Sequence, residues 1–135
     1  MNFQDLNDLD GLQFMPVTVK KQPVVKGWQT LFKKHNLINC EAVGLVCGKL
    51  SGNVEVIDID LKYSLDGLLY ENYKRLINEI NPEIIKKLVI QKTMNGGYHI
   101  LYRCAEIQGN LTLANRATTD EEKAETYKMT YDAEV

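Results

Sequence analysis

No apolar stretch of this chain is long enough for a membrane helix. Its longest runs, such as Ala42 to Cys47 and Leu88 to Ile90, fall well short of the roughly 20 residues needed. Nor does the N-terminus, Met1-Asn2-Phe3-Gln4-Asp5, carry the basic and then apolar segment of a secretory signal. Cysteine is scarce: Cys40, Cys47 and Cys104 make an odd count without C-x-x-C spacing. That fits free thiols in a reducing compartment better than a disulfide framework or a cysteine zinc site. A cytoplasmic protein is expected. Positive charge is not in excess either, 16 Lys and Arg standing against 18 Asp and Glu. The chain therefore does not coat nucleic acid through bulk electrostatics. Proline occurs only three times, and 44% of residues are hydrophobic against 25% charged, which excludes a disordered or fibrous chain. The 135 residues have room for one compact domain, or for one and a half small units sharing a sheet.

What is present is ordered along the chain. Phe14-Met15-Pro16-Val17-Thr18-Val19 reads as a first strand, followed by a lysine-rich loop through Pro23. Trp28, Leu31 and Phe32 recur at helical spacing and predict a short amphipathic helix to about His35, with Trp28 as a core anchor and His35 at the surface. Ala42 to Cys47 is a second strand stopped by Gly48. The turn Ser51-Gly52-Asn53 then feeds a third strand, Val54 to Asp60. Ser64 or Asp66 offers an N-cap for a helix whose apolar face is Leu69, Tyr73, Leu76, Ile77 and Ile80, and which must end near Asn81-Pro82. Leu88 to Gln91 and Tyr98 to Arg103 are strands joined through Asn95-Gly96-Gly97, the strongest turn signal in the chain. From Glu106 on, apolar residues thin out, and Thr119-Asp120-Glu121-Glu122 is a candidate capped helix start. The expectation is an α/β (α+β) fold in one domain: residues 1–52 as an α/β unit, residues 53–105 as a β-α-β-β unit of the RNA-recognition-motif type, and residues 106–135 as a polar tail or insertion. Such a unit would want one more helix and strand, so the chain reads as an N-terminal portion.

Two clusters carry chemistry. Asp58 and Asp60, two apart on a strand, leave the same face with Cβ atoms roughly 6 to 7 Å apart. Paired carboxylates at the end of an apolar strand repel each other, and a divalent cation relieves that cost; hard oxygen ligands select Mg2+ or Mn2+ over zinc. The competing reading makes them solvated strand-end acids with Lys62 as partner. The second cluster is the hairpin Thr93-Met94-Asn95-Gly96-Gly97-Tyr98-His99. Adjacent glycines let backbone N–H groups approach a phosphate, and His99 follows two residues later. An ordinary hairpin with His99 as a partly buried strand residue is the alternative.

Taken in series, Lys26-Gly27-Trp28, Gly44 to Gly48, Ser51-Gly52 leading into Val56-Ile57-Asp58-Ile59-Asp60, and Thr93-x-Asn95-Gly96-Gly97-x-His99 resemble the N-terminal catalytic domain of bifunctional DNA primase-polymerases. That family lies within the archaeo-eukaryotic primase superfamily and is carried by plasmids, phages and integrated mobile elements. The resemblance covers about Phe14 to Arg103 and implies a two-part fold with an active site in the cleft between the parts. It implies that Asp58 and Asp60 hold catalytic Mg2+ or Mn2+ and that His99 binds the phosphates of the incoming nucleotide, with Gly96, Gly97, Thr93 and Asn95 as further nucleotide contacts. Gly97 stands where the family's S-x-H motif has serine. The third acid of the family has no visible counterpart; Asp132 is the only candidate.

The implied activity is template-directed nucleotidyl transfer, primer synthesis and extension, on single-stranded DNA with nucleoside triphosphates and a replicative helicase as a possible partner. Lys20, Lys21 and Lys26 would meet template or nucleotide phosphates, unless they are simply a solvated loop. Three rivals remain: a non-catalytic nucleic-acid-binding module of the same fold, a generic Mg2+-nucleotide-binding domain, and a nicking relaxase. The last needs paired histidines, and the chain has only His35 and His99.

Overall fold

The computed structural model describes residues 2–114 and 117–125. It is mixed α/β with two small sheets, and its contacts divide into two compact units. One is built on the residues up to Glu55 together with Arg103–Gly109, the other on Val56–Tyr102 and the described residues from Asn110.

In the first unit, β1 (Phe14–Val17) pairs antiparallel with β2 (Ala42–Leu45), Phe14 lying opposite Leu45. Met15, Val17 and Val46 form its core, with Trp28, Ala42 and Leu50 packed against them. Trp28 is thus the core anchor its size suggests. The helix expected after it does not form: residues 26–30 are turns and 31–37 have no regular structure, leaving Leu31 and Phe32 exposed.

The reason lies in three amide side chains. A helix would send the Lys33 N–H to the carbonyl four residues back. Here it donates instead to Gln13 Oε1 at 2.6 Å, while Gln13 Nε2 donates to the Lys33 carbonyl at 2.7 Å and to that of Phe14 at 2.8 Å. Asn7 donates to the His35 carbonyl at 2.8 Å, and the Leu37 N–H reaches Gln4 Oε1 at 2.8 Å. Segment 33–37 is therefore laid down like a strand whose ladder is built from side chains. Leu37 is fully buried beneath it, and His35 is buried as well, not at the surface as expected. The expected α/β unit over 1–52 accordingly has no α-helix among its described residues, only 3-10 turns at Phe3–Asp8 and Lys49–Ser51.

Gln13 is 1% exposed. Gln13→Leu keeps its bulk but strands the Lys33 and Phe14 groups, so we expect it to cost about 2 kcal/mol. A urea titration with unchanged slope and a lowered midpoint would register this.

β3 (Val54–Ile59), in the second unit from Val56 on, leads into helix α1 (Leu69–Ile80), a short helix α2 (Pro82–Ile85), β4 (Val89–Lys92) and β5 (Tyr98–Arg103), in that unit through Tyr102. The sheet order is β3-β5-β4, so the last strand inserts between the two that α1 connects. β4 and β5 are antiparallel, with Ile90 opposite Ile100 and Gln91 opposite His99. β3 is also antiparallel to β5: the Cys104 N–H bonds the Asn53 carbonyl at one end, and Gly97 lies against the Ile59 carbonyl at the other.

The core is Ile59, Tyr70 and fully buried Ile100, with Ile57, Leu61, Tyr73, Leu88 and Tyr98 around them. α1 is rotated from the face its leucines predict. Tyr70 stacks on Tyr98 with ring centroids 3.7 Å apart, so Tyr70, Tyr73 and Ile77 turn inward while Leu69, Leu76 and Ile80 stay exposed. A large aromatic area plus a stacking partner outweighs the leucine stripe. The N-cap is Leu68; neither Ser64 nor Asp66 occupies it, although the Asp66 carboxylate accepts the Leu68 N–H at 3.0 Å. Asn81 caps α2 by accepting from the Glu83 N–H. Residues 120–125 are helical, and Thr119 and Glu122 form the expected reciprocal capping box.

Candidate functional site

β3 and β5 bring Asp58 and His99 together. Ile59 and Ile100 point into the core, so their neighbours Asp58 and His99 emerge on the opposite, open face of the sheet. His99 Nε2 lies 3.7 Å from Asp58 Oδ1, with the side chains 40% and 69% exposed. At that exposure the pair contributes little to stability, about 0 to 1 kcal/mol, and its carboxylate remains open to other ligands.

Asp60 follows two residues after Asp58 but lies just beyond the end of β3. Its Oδ1 accepts the Lys62 backbone N–H at 2.9 Å, which turns the chain away from the sheet. Lys62 therefore partners Asp60 through its main chain, and its ammonium sits 5.0 Å from the Tyr63 ring. Among the described residues no three His, Cys, Asp or Glu side chains gather as a metal-ligand set. Asp58 on the sheet face and Asp60 just past the strand end are both exposed carboxylates, the donor type that Mg2+ takes, usually with waters and substrate phosphates completing its shell. Asp132 lies outside the described residues.

The hairpin closes as its sequence requires. Thr93 N–H bonds the Gly97 carbonyl at 2.8 Å, the Gly96 N–H bonds the Thr93 carbonyl at 3.1 Å, and Gly96 takes φ +83°. Asn95 is exposed at the tip, and Thr93 is half-buried. Gly97 is buried, and a Cβ there would press on the Ile59 carbonyl closer than 3.0 Å. β3 thus approaches the hairpin too closely for a side chain at position 97. Gly96, Gly97, Thr93 and Asn95 all stand at the same end of β5, before His99.

Lys20, Lys21 and Lys26 are exposed and belong to the first unit. Lys21 closes a turn on the Thr18 carbonyl at φ +61°. The structure does not gather these lysines with Asp58 and His99 within one unit. All three cysteines are free. Burial, with Glu55 nearby, pushes the Cys47 and Cys104 thiols up, so neither is an activated nucleophile.

His35, the other histidine, serves packing. Burial first, then the Lys33 charge, holds its imidazole below the ordinary value of 6.5. The unfolded chain therefore takes up a proton more readily than the folded one. Stability contributed by neutral His35 is present above pH 6.5 and declines as pH falls below it. Replacing it by phenylalanine should flatten that part of the stability profile, measured as urea midpoints between pH 7.5 and 5.

One residue that sequence reasoning passed over stands in the site. Gln91 is the β4 partner of His99 and so shares its open face. Counting outward from the Asn95-Gly96-Gly97 turn would have found it. No family model matches the chain, and neither curated proteins nor solved structures give a match.

Proposed function

We propose that this chain is the nucleotide-binding part of a divalent-metal-dependent nucleotidyltransferase of the DNA primase-polymerase type, acting on a single-stranded DNA template. The observation that carries the reading is the 3.7 Å approach of His99 to Asp58 on an open sheet face, with the Gly96-Gly97 hairpin at the start of the same strand as His99. A carboxylate for the metal, an imidazole for phosphate and a glycine backbone without side chains, which lets the triphosphate tail lie close, are features that phosphoryl chemistry can use. The strand order supports it as analogy of fold: a β-α-β crossover split by a third, antiparallel strand is the arrangement of RNA-recognition-motif-like sheets.

Asp58 and Asp60 would hold Mg2+ or Mn2+, which supplies charge neutralisation at the triphosphate and lowers the pKa of an attacking hydroxyl. The chain's own residues position the nucleotide. His99 donates to a phosphate oxygen, Asp58 orients that ring, and the Gly96 and Gly97 backbone lets phosphates lie close to the hairpin. A non-catalytic nucleotide- or nucleic-acid-binding module is the second reading, favoured by the lack of a third converging acid among the described residues.

The test is incorporation of labelled nucleotides on a single-stranded DNA template with Mn2+, beside equilibrium binding of Mn2+ with ATP or dATP. Metal-dependent product supports the enzyme. Binding without product supports the module. Absence of both would sink the site altogether.

A further inference from the structure

Across the open face of the second sheet, side chains fall into two rows. Five residues along β3 from Asn53, and five back along β5 from Cys104, stand Asp58 and His99, and the next strand adds Gln91; the polar row is Asp58, His99, Gln91. Two residues further from the hairpin, the same register sets Val56, Leu101 and Val89 side by side. This is an apolar row, with Val56 40% and Val89 65% exposed. A side-chain-free glycine turn, a polar row and an apolar row thus succeed one another along β5, each step about 7 Å.

That succession has the polarity of a nucleotide: charged phosphates, a hydroxylated sugar, a flat base. Building on the nucleotide-binding reading above, we propose that the nucleotide lies along β5 with its base on Val56, Leu101 and Val89, and that Gln91 hydrogen-bonds a sugar hydroxyl. A carboxamide both donates and accepts and carries no charge, so it matches a hydroxyl better than it matches a phosphate, which the imidazole beside it already serves. Cross-strand neighbours have Cβ atoms about 5 Å apart, so one sugar-phosphate junction can touch His99 and Gln91 together. Gln91 then becomes the residue that senses whether that hydroxyl is present.

Equilibrium binding of ATP, dATP and 2′,3′-dideoxyATP, each with Mn2+, tests this in the wild type and in Gln91→Leu. Position 91 is exposed, so the variant should fold normally, checked by its circular dichroism and melting curve. The wild type should lose about five- to tenfold in affinity when the contacted hydroxyl is removed, the scale of one neutral hydrogen bond. Gln91→Leu should bind all three nucleotides alike, at the affinity of the poorest wild-type ligand. Equal affinities in the wild type, or a Gln91→Leu loss that is the same for all three nucleotides, would overturn the sugar contact while leaving the nucleotide site standing. A wild type that binds none of them removes both.

Discussion

Asp58→Ala should reduce Mn2+-dependent nucleotide incorporation by at least a hundredfold, about 3 kcal/mol of transition-state stabilisation, while leaving the melting temperature within about 2 °C of the wild type. The two halves of that expectation have one cause. Asp58 sits on the open face of the sheet with its carboxylate 69% exposed and the His99 imidazole 3.7 Å away. A carboxylate that water already reaches costs the fold little when removed. On the proposed reading its value lies in the charge it offers an arriving metal ion. Asp58→Asn separates charge from shape: it keeps the size of the side chain and loses the anion, so it should fall with the alanine variant. His99→Ala should act differently, weakening nucleotide affinity more than metal affinity. Primer synthesis by Asp58→Ala at the wild-type rate would remove the catalytic reading, whatever the binding data say.

The Gly97→Ser variant should unfold more easily by about 2 to 3 kcal/mol, even though serine restores the motif that the sequence resembles. The Cβ that serine brings would press on the Ile59 carbonyl, with Thr93 Oγ1 3.3 Å away on another side. Ile59 is part of the second unit's core beside Ile100, so the strand cannot move aside without opening that contact. For a chain of this size the cost corresponds to a fall in melting temperature of about 10 °C. Gly96→Ala makes the control. Nothing lies within 4 Å of its Cβ, but φ +83° is unfavourable for alanine, so about 1 kcal/mol is expected from backbone strain alone. A Gly97→Ser protein as stable as the wild type would mean that β3 and the hairpin are not held at this distance.

How much of this was legible beforehand depended on the range of the interaction. The hairpin could be read because Asn95-Gly96-Gly97 forces a turn within a few residues, and the flanking strands follow from it. The Thr119–Glu122 capping box is equally local. By contrast, Trp28, Leu31 and Phe32 have true helical spacing, yet no helix forms, because Gln13, some twenty residues earlier, takes both hydrogen-bonding groups of Lys33. No window around Lys33 contains that information. Likewise the leucines of α1 pointed to one face and Tyr98, on a distant strand, selected another. Asp58 and Asp60 were visible as a pair, whereas the turn that draws Asp60 off the strand through Lys62 was not.

The amino-acid order alone settled the composition class, the positions of β1 to β5 within a residue or two, the body of α1, and Asp58 and His99 as candidates. Each of these rests on alternation, on turn chemistry or on charge within a few residues. Folding alone decided that Asp58 and His99 become neighbours, that His35 is buried and that residue 97 must be glycine. These facts arise from contacts between segments about 30 to 40 positions apart, where a side chain's surroundings are set by another segment and not by its own neighbours in the chain.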